Sequence, residues 1–412
     1  MPAKNFHVRQ AAVSALRAWA KGHDYAETLV ERHAQRRMLS PSDRGLLQAI
    51  LFGVLRHRRL LDHWIAKLRQ GKLDTETRDV LRVGLCQLLI LNIPDHAAVN
   101  ETVEAGKAPV RSLINAVLRK AITSRKELMD ELDSMPPAVL HSHPDWLYNR
   151  WCKSFGKDQA TAIMEWNNQP AETFFRYNPL TGGGANPSLP PSQKLDHAPD
   201  YYLLEGKIPT QLLAAGAIYI QDPATRHCID LLAPQPGEKI LDACAAPGGK
   251  SFLIAAALGS GTGLSCTDSN EKRIPRLEEN LSRLRIVPDE ICVHDWRKPA
   301  PERFHAAFDA ILLDVPCSNT GVIRRRVDVR WRLQPSDIED LAKIQMEILQ
   351  NALLCLKPGG RIIYSTCSIE DSENIDLVTT FADANGLKIA KTTQIKPNQH
   401  GTDGAFAARL ER

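Results

Sequence analysis

Apolar residues recur at three- and four-residue spacing through the first third of the chain, the period of helices with one buried face. LLQAILFGVLRHRRLLDHWIAKLR (46–69) carries this pattern without a break. TRDVLRVGLCQLLILNI (77–93) carries it until Pro94, which cannot continue a helix. HAAVNETVEAGK and VRSLINAVLRKAI follow with the same period, and no strand-type alternation interrupts them. Residues 1–130 are therefore expected to form an all-α bundle. Between 131 and 170 a turn-rich stretch, MPPAVLHSHPDW, leads into one or two connecting helices in WLYNRWCKSFGKDQATAIMEWNNQ.

From 171 to 235 the pattern is mixed. FFRYNPL and DYYLLEG predict short strands, and TGGGANPSLPPSQKLDHAPD (181–200) between them predicts a surface loop. That combination suggests a small α+β module. From 236 to 412 strands and helices alternate. Strands are expected at KILDAC, GLSCTD, EICVHD, AAFDAILLDV and RIIYSTC, with helices at SFLIAAAL, EKRIPRLEENLSRL, SDIEDLAKIQMEILQNALLCL and SENIDLVTTFADAN. This rhythm predicts a mostly parallel sheet with helices on both faces, an α/β fold.

Composition narrows the class. A chain of 412 residues suits two or three domains, and 43% apolar with 24% charged residues is ordinary for soluble protein. No apolar run approaches membrane-spanning length, and the N-terminus lacks the apolar core of a signal peptide. A cytoplasmic protein with no membrane partner is the expectation. The nine cysteines are scattered with no CxxC pair, which argues against a disulfide framework and a zinc site. His96, His141, His143 and His294 show no metal-ligand spacing, so no metal is expected. A net charge of +4 is compatible with a nucleic-acid partner without requiring one.

The candidate chemistry gathers at strand exits, where open α/β sheets bind ligands. The first strand of the C-terminal part runs into Cys244, Ala245, Ala246, Pro247, Gly248, Gly249 and Lys250, then a helix. Small residues let a ligand approach the backbone, and a helix N-terminus offers free N–H groups. The loop is neither GxGxxG nor a P-loop, since the latter needs Gly at Cys244. Asp268, Asp295 and Asp314 end the next three strands. Any one alone is a good helix cap, but three above a Gly-rich loop favour a nucleoside cofactor. Asp268 is placed for a ribose diol and Asp295 for an adenine edge.

Two cysteines share a setting. Cys317 in ILLDVPCSNTG and Cys367 in RIIYSTCSIEDSEN each follow an apolar strand and precede a serine. Cys86, Cys228, Cys266, Cys292 and Cys355 look like small buried apolar residues instead. Arginines follow Cys317 and a helix start follows Cys367, surroundings that lower a thiol pKa. Covalent catalysis is the expectation, and the local sequence does not rank the two thiols. The basic stretch VIRRRVDVRWR (322–332) directly follows the Cys317 loop, so Arg324, Arg325, Arg326 and Arg330 are candidates for phosphate contact. LRHRR (55–59) is a second basic cluster.

LDACAAPGGKS, DVPCSNTGVIRR and YSTCS, with QDPAT (221–225) and the terminal DGAFAARL, resemble the RNA cytosine-C5 methyltransferases of the Nol1/Nop2/Sun family. IPDHAAVNETVEAGK and SLINAVLRK resemble a NusB-like RNA-binding domain, a pairing found in bacterial 16S rRNA members. The resemblance implies a multidomain chain. A NusB-like bundle (1–130) would be followed by a helical linker (131–170) and a small α+β RNA-binding module (171–235). A Rossmann-like class I methyltransferase domain (236–412) would complete it.

The resemblance also implies S-adenosylmethionine at residues 244–250 with Asp268, Asp295 and Asp314. Cys367 would be the nucleophile that adds to cytosine C6, and Cys317 the helper in releasing methylated RNA. Asp314 could also touch the cytosine N3/N4 edge and, if protonated, stabilise the adduct. The implied partner is RNA, 16S rRNA above all, with no DNA and no obligate protein partner evident. Two departures from the family pattern stand out. Val315 replaces the usual Ala before Pro-Cys, and Arg326-Val327 replaces His-Pro. The same chemistry on tRNA, or a non-catalytic rRNA-binding assembly factor, remain the alternatives.

Overall fold

A computed structural model describes residues 8–181 and 190–412. The first seven residues, and 182–189 of the expected 181–200 loop, lie outside the described residues. The chain divides into two compact units. One runs to Gln169 and takes in Ile323–Arg332, and the other comprises Pro170–Val322 and Leu333–Arg412.

The first unit is all helical. Val8–Ala20, Ala26–Arg36, Pro41–Arg56, Arg58–Leu68, Thr75–Leu85, Asp95–Ala105 and Arg111–Thr123 turn their apolar faces onto one core. Leu51, Trp64, Leu81 and Leu118 are buried in it. The continuous periodicity of 46–69 hides a break, because His57 leaves helical geometry (φ −114°, ψ 22°) and separates two helices. The 77–93 run ends in a π-helical turn, Cys86–Ile90, and Pro94 opens the next helix. The connecting segment forms two helices, Asp145–Phe155 and Lys157–Trp166, split by Gly156 at φ +82°.

Two boundaries differ from expectation. Residues 131–169 pack with the helical bundle rather than standing apart as a linker, and Ile323–Arg332 joins it from the far end of the sequence. Val327 from that segment lies in the bundle's core. The Asp328 carboxylate accepts from Trp19 Nε1, and from the Ala26 amide at 3.1 Å. It thereby supplies a negative group to the N-terminus of helix Ala26–Arg36.

The second unit holds two sheets. Strands β1 (Phe174–Tyr177), β2 (Ser192–Leu195), β3 (Ala198–Leu204) and β4 (Ile218–Ile220) form an antiparallel sheet in the order β2-β3-β1-β4. Part of the expected 181–200 loop is thus strand: β2 pairs with β3. The larger sheet contains β5 (Ile240–Asp242), β6 (Leu264–Asp268), β7 (Glu290–Val293), β8 (Phe308–Asp314), β9 (Leu356–Thr366), β10 (Lys388–Ile395) and β11 (Ala405–Glu411). Its order is β10-β11-β9-β8-β5-β6-β7. The run from β9 to β7 is parallel, while β10 and β11 return antiparallel at one edge. The sequence pattern did not reveal that last pair.

Helices cover both faces. Pro335–Leu353 and Ile375–Asn385 pack over one, and Gly249–Leu258 and Ile274–Arg283 over the other. Strand order reverses between β5 and β8, so the crevice for a ligand opens at their C-terminal ends. Among the described residues no helix is long and apolar enough to cross a membrane, and no cluster of His, Cys, Asp and Glu could hold a metal.

Candidate functional site

Parallel pairing brings the strand-end residues to one edge. Asp242 ends β5, Asp268 ends β6, Asp314 ends β8, and Asp295 follows β7. In the β8–β9 ladder Asp314 pairs with Ser365. Cys317 lies just beyond one and Cys367 just beyond the other, which is why residues far apart in sequence meet. Their Sγ atoms are 3.3 Å apart.

The loop after β5 is braced from several directions. The Ala245 amide donates to the Thr267 carbonyl at 2.8 Å, and the Ala246 amide to Asp268 Oδ2 at 3.2 Å. Asn280 Nδ2 donates to the Pro247 carbonyl at 2.8 Å, and Gln221 Nε2 to the Gly249 carbonyl at 3.0 Å. Gly248 sits at φ +101°, where a side chain would be strained. Asp268 also accepts from the Asn270 amide at 3.0 Å and pairs with Arg273 at 3.3 Å. Asp295 is gripped by the Arg297 guanidinium, whose hydrogen bonds pull its carboxyl down to about 2. Burial pushes the Cys244 thiol far up, so it stays a neutral part of the loop wall.

Asp242 was not singled out by the sequence, and it is the most perturbed carboxyl of the loop. Its Oδ2 accepts from Ser251 Oγ at 2.6 Å, while its Oδ1 is buried with no partner. Burial raises the carboxyl to about 7. An orphaned acceptor beside a Gly-rich turn and a helix start suits a ligand that carries an ammonium and a nucleoside. The residues present therefore fit S-adenosylmethionine.

Lys250 and Asp314 link this loop to the thiols. Lys250 Nζ lies 2.7 Å from Asp314 Oδ2. Burial would lower the ammonium's pKa, but Asp314 and the nearby Cys228 and Cys367 together oppose it and the net shift is upward. The Lys250 charge also reaches Cys367.

The expectation that both thiols sit in pKa-lowering surroundings fails for Cys317. Its hydrogen bond with Cys367, its burial and the nearby charge of Glu373 hold its pKa far above the ordinary thiol value. Cys367 Sγ instead donates to Asn319 Oδ1 at 3.3 Å, and Asn319 Nδ2 donates to the Cys317 carbonyl at 2.7 Å. The two thiol loops also touch through backbone. The Gly321 amide donates to the Cys367 carbonyl at 2.9 Å, and a Cβ on Gly321 would meet that oxygen at 2.7 Å.

The basic stretch divides. Arg330 is fully buried in the helical unit, where Nη1 donates to Asn168 Oδ1 at 2.6 Å and Nη2 to the Asn167 carbonyl at 2.9 Å. Burial pulls its pKa far down. Arg324 is buried as well, with its guanidinium 4.1 Å from the Trp166 ring centroid. The structure thus corrects the expectation of phosphate contact for both: they are packing residues. Arg326 is exposed and Arg325 half-buried. Of the second basic cluster, Arg59 is paired with Asp145 and Arg56 donates to the Arg324 carbonyl.

Comparison with known proteins matches three segments of the chain. A family model described as 16S rRNA methyltransferase RsmB/F matches residues 229–411. A NusB family model matches 7–123, and a ferredoxin-like domain of RsmF/B-like methyltransferases matches 143–185. A protein of Cronobacter sakazakii, Ribosomal RNA small subunit methyltransferase B, is 37% identical over 401 residues, covering 90% of this chain and 91% of its own. A solved structure of PH0851 superposes with a TM-score of 0.77 over 98% of each chain at 23% identity, a likeness of fold. A methyltransferase homologue from Pyrococcus horikoshii, 25% identical, gives 0.56 over 69% of this chain and 99% of its own.

Proposed function

The chain belongs to the RsmB/F family of 16S rRNA methyltransferases, and on that premise we propose that Cys367 carries out covalent methylation of a cytosine at C5 in 16S rRNA. The observation that supports this most strongly is the meeting of Cys317 and Cys367 at 3.3 Å beside the Lys250–Asp314 pair.

Residues 244–250 with Asp242, Asp268 and Asp295 would hold S-adenosylmethionine, which when bound would supply an electrophilic methyl group. Cytosine C5 is too weak a nucleophile to take it unaided. Cys367 as thiolate forms a bond to C6, and the electron pair displaced from the C5–C6 double bond enriches C5. Once C5 carries the methyl, its proton leaves to a base. The electron pair re-forms the double bond and expels the Cys367 thiolate. Cys317, kept as a neutral thiol at rest, serves in this release. Lys250 holds Asp314 at the strand end, where the cytosine edge would lie. The target base has to be unpaired or turned out of its helix. Arg325 and Arg326 are the phosphate contacts we assign, with 16S rRNA as the partner and the cytoplasm as the compartment. All nine cysteines are free thiols, in keeping with that compartment.

Cys367→Ala should abolish methyl transfer while S-adenosylmethionine still binds. Cys317→Ala should trap a protein–RNA adduct, seen as a slowed gel band. An adduct that survives loss of Cys367 but not of Cys317 would exchange the two roles. Bisulfite sequencing of rRNA from a deletion strain should show one 16S cytosine losing protection, and an unchanged 16S pattern would exclude that substrate.

A further inference from the structure

Each thiol is followed by a serine, and both serines are buried. Their hydroxyls converge on a single carboxylate, Glu373, which is itself fully buried. Ser318 Oγ and Ser368 Oγ both donate to Glu373 Oε2, the latter at 2.5 Å. Glu373 Oε1 accepts from the Ser318 amide at 2.9 Å and from Gln345 Nε2 at 2.9 Å. Four neutral donors thus share two oxygens.

The same group of residues reaches the backbone on either side of the thiols. Gln345 Nε2 also donates to the carbonyl of Pro316, the residue before Cys317, at 2.9 Å. Tyr364 Oη shares its one hydrogen between the Glu373 carbonyl at 2.6 Å and Gln345 Oε1 at 3.0 Å, tying the amide to strand β9. Thr320 Oγ1 accepts from the Ile369 amide at 3.1 Å, a second tie between the loops.

A buried carboxylate is costly, and apolar side chains could hold two loops together at less cost. An anion offers something they lack: it draws both serines to one point and so fixes one loop against the other. We propose that Glu373 is a positioning residue for the methyl-transfer reaction, setting the separation of Cys317 and Cys367 through Ser318 and Ser368. The inference rests on the reading of Cys367 as nucleophile and Cys317 as the releasing thiol. Under it the two serines act on different steps. Ser368 holds the loop that attacks, and Ser318 holds the loop that releases. The hydrogen bond with Cys367 and burial hold the Cys317 thiol high, and Glu373 adds to that in the same direction.

The test uses the full chain, target RNA and S-adenosylmethionine, with single-turnover adduct formation and decay followed on gels. Glu373→Gln keeps the size of the side chain but replaces one acceptor oxygen with a donor. It should lower kcat by about 10- to 100-fold, as expected for a reacting group displaced by up to an ångström. KM for RNA and the affinity for S-adenosylmethionine should stay within about twofold of wild type, the split expected of a group acting on the reacting geometry. Ser368→Ala should slow adduct formation, whereas Ser318→Ala should slow its decay so that adduct accumulates.

Wild-type kcat per folded, cofactor-binding molecule in Glu373→Gln would overturn the proposal. So would identical effects of the two serine variants on formation and decay. If Glu373→Gln does not fold, the serine pair decides alone. Cys367→Ala separates the two levels: adduct persisting there refutes the nucleophile reading, while its absence together with unaltered Glu373→Gln kinetics refutes only the positioning role.

Discussion

Asp242→Asn isolates the cost of a carboxylate buried for a ligand. The carboxyl lies at the end of β5 with one oxygen on Ser251 and the other unpartnered, and burial raises it from an ordinary 3.8 to about 7. The unfolded chain gives up this proton near its ordinary value, and the folded chain holds it until about pH 7. Between those values the folded state carries a proton that the unfolded state lacks, so stability falls as pH rises through the window. From the two pKa values, the penalty is roughly 2 kcal/mol at pH 5 and roughly 4 kcal/mol at pH 8. Asn removes it, but its N–H groups need acceptors where the orphaned oxygen had no donor, a cost of about 1–3 kcal/mol. Stability of Asp242→Asn relative to wild type should therefore improve by roughly 2–3 kcal/mol on going from pH 5 to pH 8. Urea titrations of the ligand-free protein at the two pH values, followed by circular dichroism, measure this. Calorimetry at pH 8 should show S-adenosylmethionine binding weakened at least about tenfold, as loss of one charge-assisted hydrogen bond implies. A stability difference independent of pH would refute the buried-carboxylate reasoning, and unchanged affinity would remove Asp242 from the cofactor site.

Gly321→Ala forces a methyl group against the carbonyl oxygens of Cys367 and Gly404, at 2.7 and 2.8 Å before relaxation. Because both are backbone atoms, the thiol loops must part. A stability loss of about 1–3 kcal/mol is expected by thermal melting, together with a lower kcat; a variant with full activity would show that the loop contact is dispensable. Arg330→Ala strips the donors from the Asn167 carbonyl and Asn168 Oδ1, so the helical unit should lose about 2–4 kcal/mol in urea while the salt dependence of RNA binding stays as in wild type. Arg326→Ala should do the reverse, leaving stability alone and reducing the slope of log K against log salt by about 1. A reduced slope in Arg330→Ala would return that residue to the RNA surface.

Much of the catalytic unit was legible because its signals are local. A strand that ends in a Gly-rich turn, Asp residues at successive strand exits and Cys-Ser after two apolar runs all occupy short windows, and parallel pairing brings such exits to one edge. Helical periodicity likewise announced the bundle, although it could not show the break at His57, where the pattern runs on while the backbone turns.

What stayed hidden depends on distant partners. VIRRRVDVRWR reads as a solvated basic loop, yet Arg324 and Arg330 are buried because helices more than a hundred residues earlier supply their acceptors and an aromatic face. Strand β11 sits between the edge strand β10 and β9, and its long-range pairing with β9, rather than a strong local pattern, brings both strands into the sheet. Glu373 was in view within CSIEDSEN, but nothing in that window shows that Ser318 and Gln345 come to it. The sequence by itself determined which residue types stand at the strand ends, and therefore the chemistry available. Only the tertiary structure decided the environment of each thiol, because the hydrogen bond with Cys367, burial and a neighbouring carboxylate, not the adjacent arginines, set the state of Cys317.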